Sequence, residues 1–220
     1  MRDMKQTADP GRIDPDRADG DRADGDHAAL PPAPGAERYP ALDFANSAPA
    51  LPGGRILDLL GTPAAATEWL VEHGLAGDGA ALQEVCAARL RDLREQVRAL
   101  IATRIEALPA PPEALHAVND AMTLAPAAAL LAWEPSLGLY RAQPHPADQV
   151  ADRAMAVLAA DAADLLTGAD ADRLAACGSA PCRRFLLRTH ARRHWCSVRC
   201  GDRARAARAY ARRTKAAATS

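Results

Sequence analysis

Between residues 79 and 108 the chain sets apolar side chains at helical spacing. Leu82, Val85, Cys86, Leu93, Val97, Leu100 and Ile101 recur mostly three and four residues apart, with Arg and Glu between them. This periodicity predicts a long helix from about Gly79 to Leu108 that buries one stripe. Upstream, DLLGTPAAATEWLVEHGLAG predicts a second helix. Thr62 can cap it, Pro63 suits its first position, and Gly74 can end it. Trp69, Leu70 and Val71 supply its buried side. A shorter helix follows the prolines of PAPPEALHAVNDAM. Another runs from about Pro146 to Leu166, with Val150, Met155, Leu158, Leu165 and Leu166 as its apolar positions and Gly168 as its stop. Between these two, ALLAWEPSLGLYRAQP sets apolar runs on either side of a Pro-Ser-Leu-Gly turn, the pattern of a β-hairpin. YPALDFANS, with Leu42 and Phe44, begins the ordered chain. The expected fold class is mainly α, a helical domain with a small hairpin over residues 37–170.

Composition agrees. Of 220 residues 49% are apolar but only 4% aromatic, a mixture suited to helices packed through small and aliphatic side chains. No apolar run approaches the ~20 residues of a membrane span. The N-terminus lacks the apolar stretch of a secretory signal. A reducing, cytoplasmic setting is therefore expected, in which clustered cysteines bind metal more often than they form disulfides. Residues 1–36 read as disordered: RADGD occurs twice and is followed by LPPAPGAE, too little apolar surface to offset ordering entropy. Asp14 and Asp16 suggest a calcium loop, but Ala18 stands at its fifth position, so that reading fails.

Four of the five cysteines lie in CGSAPCRRFLLRTHARRHWCSVRC, with six arginines and no acid. Cys177 and Cys182 are separated by four residues, Cys196 and Cys200 by three, with thirteen between the pairs. Two short cysteine pairs across a modest loop are the sequence form of a four-thiolate zinc site. Gly178, Ser179 and Pro181 favour a turn that turns both sulfurs to one side. A filled tetrahedral sphere leaves no position for substrate, so the metal is expected to be structural. Nearby Arg183, Arg184 and Arg199 would offset the thiolate charge. The competing readings are a pair of disulfides, and ligation by His190 or His194. Cys86, on the apolar stripe of the long helix, reads as a small buried hydrophobe.

From Arg173 onward there are thirteen Lys+Arg and one acid, Asp202, whereas the first 172 residues hold fourteen basic and twenty-seven acidic side chains. Such asymmetry points to a nucleic-acid-binding end, although a solvated basic tail would share it. RRFLLRT reads as a strand with Phe185 and Leu187 on one side and Leu186 on the other. GDRARAARAYARRTKAAA reads as a helix. At 100° per residue Arg205, Arg208, Arg212 and Lys215 fall within about an 80° arc. Ala206, Ala207 and Tyr210 lie opposite, facing a small core with Trp195 and Phe185. Knuckle, strand, second pair and helix make a treble-clef-like finger over residues 173–216. Arg183, Arg184, Arg192, Arg193, Arg203, Arg205, Arg208 and Arg212 are the candidate phosphate contacts.

HWCSVRCGDRARAARAYARR resembles the signature of the CGNR zinc-finger proteins. The upstream ALDFANS, DLLGTP…WLVEHGL and LREQVRAL are similar to the helical ABATE domain that usually precedes this finger. The resemblance implies that Cys177, Cys182, Cys196 and Cys200 are the zinc ligands, and that the chain is a bacterial stress-induced transcription regulator; with the basic finger, duplex DNA is the expected partner and a nucleoid-associated place in the cytoplasm the expected location. Asp202 replaces the motif's Asn, and is expected to cap the helix or orient Arg203. Arg188 stands near a frequent Asp. The helical domain is expected to dimerise or to sense an effector, and to be separable from the finger. The alternative is a zinc-stabilised RNA- or protein-interaction module. HExxH, P-loop, GxSxG and dinucleotide motifs are absent, so no enzyme activity is expected.

Overall fold

The computed structural model describes residues 31–125, 130–142 and 149–217. Among them are six helices, α1 (Pro40–Ala45), α2 (Pro63–Glu72), α3 (Glu84–Glu106), α4 (Pro112–Thr123), α5 (Val150–Thr167) and α6 (Val198–Ala217). Two antiparallel hairpins complete the fold: β1 (Leu130–Glu134) with β2 (Gly138–Ala142), and β3 (Leu174–Ala176) with β4 (Phe185–Leu187). Most local signals act as expected. Thr62 Oγ1 accepts the Ala65 amide at 3.2 Å, Pro63 opens α2, and Gly74 follows its end at φ +67°. The first 30 residues, to which most of the disordered tail and the calcium question belong, lie outside the described residues, as do 146–148 at the start of the last body helix.

Order begins earlier than residue 37. Ala33 is fully buried, and Pro34 accepts the Leu187 amide at 2.7 Å. Gly35 passes so close to Leu187 that a side chain there would lie 2.7 Å from it. The long helix starts later than its periodicity suggests. Gly79 adopts φ +86°, and the Leu82 amide donates to Thr67 Oγ1 at 3.0 Å instead of joining a helix. Val85 is left 60% exposed, and Cys86 is half-buried.

Helix α3 is the hub, with α1, α2, α4 and α5 packed on it. Leu90, Leu93, Val97, Leu100 and Ile101 meet Leu42, Phe44, Leu70, Trp69, Leu158 and Leu165 in the main core. Two α3 arginines are buried in the same stripe. Arg94 reaches Asp58 with two bonds, 2.6 and 3.0 Å, a bidentate pair that keeps its charge compensated. Arg98 donates to the Ala45 carbonyl at 2.5 Å and to that of Arg183 at 3.0 Å, and lies over the Phe185 ring, 4.9 Å from its centroid.

Strand β4 has two sides with different company. Phe185 and Leu187 belong to the main core, while Leu186 packs with Ala33, Ala175, Cys177, Cys196 and Cys200 in a smaller one. Asn46 at the end of α1 bonds the β4 backbone twice. The cysteine-bearing end is therefore continuous with the helical body, and residues 32–220 form one unit. Strand β4, only three residues long, is a wall of both cores.

Candidate metal centre

The first cysteine pair is shaped by a turn. Cys182 N–H donates to Ser179 O at 2.8 Å, and Cys177 N–H donates to Arg184 O at 2.9 Å. The second pair opens α6: Ser197 Oγ accepts the Cys200 amide at 3.2 Å, the geometry of a helix N-cap. Gly178 N–H donates to His194 O at 2.8 Å and Cys196 N–H to Cys177 Sγ at 3.4 Å, which ties the two turns together.

The four Sγ atoms all lie within 4.8 Å of one another. Cys182 Sγ is 3.7 Å from Cys196 Sγ, which is 3.6 Å from Cys200 Sγ. Ligands at about 2.3 Å around tetrahedral zinc would stand about 3.8 Å apart, so the array fits the ion. All four cysteines are free. The disulfide reading therefore does not hold, and the donor set is four sulfurs. His190 and His194 are exposed outside it. Cys177, Cys196 and Cys200 are buried and Cys182 half-buried, which closes the sphere to substrate.

Hydrogen bonds from Cys182 and then Cys196 pull the Cys177 thiol down to about 2. The same bonds to Cys177 push Cys182 up to about 11 and raise Cys196 as well. One sulfur ionises readily and its neighbours resist, as expected for anions crowded together. A divalent cation at the centre removes that resistance, because each thiolate then faces positive charge.

The arginines divide into two groups. Arg203 is turned inward: Nη2 donates to Cys200 Sγ at 3.3 Å and to Ser179 O at 3.1 Å, and Nε donates to Ser179 Oγ at 3.2 Å. It joins α6 to the first turn and places a donor on a ligand sulfur. Arg184 is 5% exposed. Arg183, Arg192, Arg205, Arg208 and Arg212 are exposed, and Arg193 is half-buried. Arg205 and Arg208 lie over the Trp195 ring, 5.8 and 5.4 Å from its centroid.

Two details of the expected finger change. Asp202 falls within α6 and pairs with Arg205, so it neither caps the helix nor orients Arg203. The cap is Ser197. Helix α6 does not rest on its alanine side, since Cys200 and Gly201 are its only buried residues among those described and Tyr210 is 64% exposed. Trp195 supports only the first turns, where a side chain at Gly201 would stand 3.3 Å from its ring, and Phe185 is engaged by the body.

Arg203, Arg98 and β3 had roles that sequence reasoning missed. Arg203 had a usable signal: three residues after Cys200 on one helix, it shares the ligand's side.

No membrane-spanning helix occurs among the described residues. Residues 39–169 match the model of the ABATE family, described as "Putative stress-induced transcription regulator". Residues 173–213 match that of the CGNR zinc finger. No curated protein matches the chain. The sulfur cluster and the domain it closes thus identify this chain as a member of the ABATE family that carries a CGNR zinc finger.

Proposed function

We propose that the protein is a cytoplasmic, zinc-dependent transcription regulator without enzyme activity, and that its finger binds duplex DNA. One structural zinc ion per chain, held by Cys177, Cys182, Cys196 and Cys200, fixes the turn and the start of α6. The observation that carries the reading is the exposed set Arg183, Arg192, Arg205, Arg208 and Arg212 on this scaffold, in a segment whose single acid is Asp202. Like charges held together on a firm support favour an anionic partner. Guanidinium groups suit phosphate because they donate two parallel hydrogen bonds.

Three of the eight candidate arginines are left out of this contact set: Arg184 by burial, Arg203 by its bonds to Ser179 and Cys200, and Arg193 because it is half-buried. Five phosphate contacts imply a slope of log K against log salt of roughly −4 to −5. Fluorescence anisotropy with labelled duplexes tests this. Tight, salt-steep binding to duplex DNA supports the reading. Absence of binding below high micromolar at about 0.1 M salt refutes it, and preference for single-stranded RNA would move the finger to RNA recognition.

A further inference from the structure

Beyond its first turns α6 stands clear of the described residues. Cys200 and Gly201 are its only buried residues, and from Arg205 to Ala217 all are exposed except Ala209, which is half-buried. At 1.5 Å per residue this stretch runs about 20 Å. It carries Arg205, Arg208, Arg212, Arg213 and Lys215 and no acid. The one acid of the helix, Asp202, pairs with Arg205 at the base. Arg208 and Arg212 stand one turn apart, where like charges weaken a helix. A helical stretch this short is also marginal in water without a partner. The base, by contrast, is fixed. Arg203 ties it to Ser179, and Trp195 lies against Gly201 and beneath Arg205 and Arg208. Helix α6 is thus held out as a cationic rod.

The rod is slim. At 100° per residue the basic stripe that begins at Arg205 is bordered by Ala209 and Ala216 on one edge and by Ala204 and Ala211 on the other. Arginines bordered by alanine stand proud, so the helix backbone can approach a partner closely. Tyr210 is the only aromatic or large aliphatic side chain on the stretch. Without an apolar stripe the helix has neither the seam of a coiled coil nor the face that enters lipid. The charge calls for a polyanion, and the shape selects which one. The major groove of B-form DNA, about 12 Å wide, admits a helix of about 10–12 Å, whereas that of an RNA duplex is too narrow and deep. We propose that α6 from Arg205 onward lies in the major groove of duplex DNA, its arginine stripe turned to the groove floor and to the phosphates of the walls. The inference rests on the reading that the finger binds duplex DNA.

Fluorescence anisotropy with the zinc-loaded full chain tests it on two labelled duplexes of one sequence, the second with glucosylated hydroxymethylcytosine in place of cytosine. The glucose fills the major groove and adds no charge, so phosphates reached from outside the groove are untouched. The modified duplex should bind at least about tenfold more weakly, and netropsin, which fills the minor groove, should not compete. Ala209→Leu with Ala211→Leu thickens the helix without altering its charge. This pair should lower affinity for the plain duplex about tenfold, with salt slope, far-UV dichroism and zinc content unchanged. Ala206→Leu, exposed on the far side of the helix, should have no effect. Equal binding of both duplexes overturns the inference and leaves DNA binding standing, as does displacement by netropsin or indifference to the paired leucines. Binding to neither duplex removes the inference together with the reading beneath it.

Discussion

Asn46 holds the main chain of Phe185 from both sides. Its Nδ2 donates to the Phe185 carbonyl at 2.9 Å, and its Oδ1 accepts the Phe185 amide at 2.8 Å, with the pair buried. The amide thus completes the edge of a three-residue strand and locks it to the end of α1. Asn46→Ala would leave both backbone groups without these bonds, at about 2–4 kcal/mol of stability. Urea unfolding of the two proteins measures the loss, and a change under 1 kcal/mol would contradict the role (about the worth of one ordinary hydrogen bond).

Metal removal should be felt beyond the finger. Phe185 and Leu187 are part of the main core, and Leu186 packs with the cysteines, so loosening the thiol cluster withdraws support from α3. Thermal melting followed by far-UV dichroism should show one transition that falls in temperature when zinc is chelated. Two separate transitions, with the helical one unmoved, would mean that the strand does not couple them.

Arg203 and Arg212 should act in opposite assays. Arg203→Ala removes the donor to Cys200 Sγ and both bonds to Ser179. Loss of such a supporting group weakens metal retention by about tenfold to a hundredfold, read as faster zinc transfer to a chromogenic chelator. Arg203→Lys should recover only part of it, because an ammonium cannot span the same three acceptors. Arg212→Ala should keep its zinc but lower the salt slope of DNA binding by about one. Reversal of the two phenotypes would overturn the division of the arginines.

A pH effect is expected at His73. Its Nδ1 faces the Trp69 carbonyl at 2.7 Å and its Nε2 the Asp43 carboxylate at 3.0 Å. Both partners are acceptors, so only the doubly protonated ring satisfies them. Burial opposes the charge, but these bonds, with the charges of Asp43 and Glu72, outweigh it and raise the pKa above its usual 6.5. A raised value in the folded state adds stability that is complete below the unfolded pKa and fades as pH rises through the folded one. The stability advantage over His73→Gln should therefore be larger at about pH 5.5 than at about pH 8.5. An advantage that grows with pH would show the sign to be wrong.

The chain order made some features legible and hid others for definite reasons. Thr62, Pro63 and Gly74 act within one turn of themselves, so their effect is local and readable. The cysteine spacing is equally local, since each pair closes its own turn. The two-sidedness of Phe185–Leu187 follows from strand geometry, yet nothing in that triplet tells which core each side meets. Strand β3 escaped because Leu174-Ala175-Ala176 is short and free of β-branched residues, and it exists through its pairing with β4. Arg94 and Arg98 looked like solvent-facing spacers on α3. They are buried because Asp58 and the carbonyls of Ala45 and Arg183 come from distant segments.

Consider what the shared strand means for exchange between proteins. A finger that stood alone could be cut out and grafted onto another scaffold as a cassette. Here the graft would carry Phe185 and Leu187 away from the seats made for them and strand the amide of Asn46. Recombination at the border near residue 173 should yield soluble chimaeras only when donor and recipient offer matching seats, so the two halves of this chain are bound to drift together.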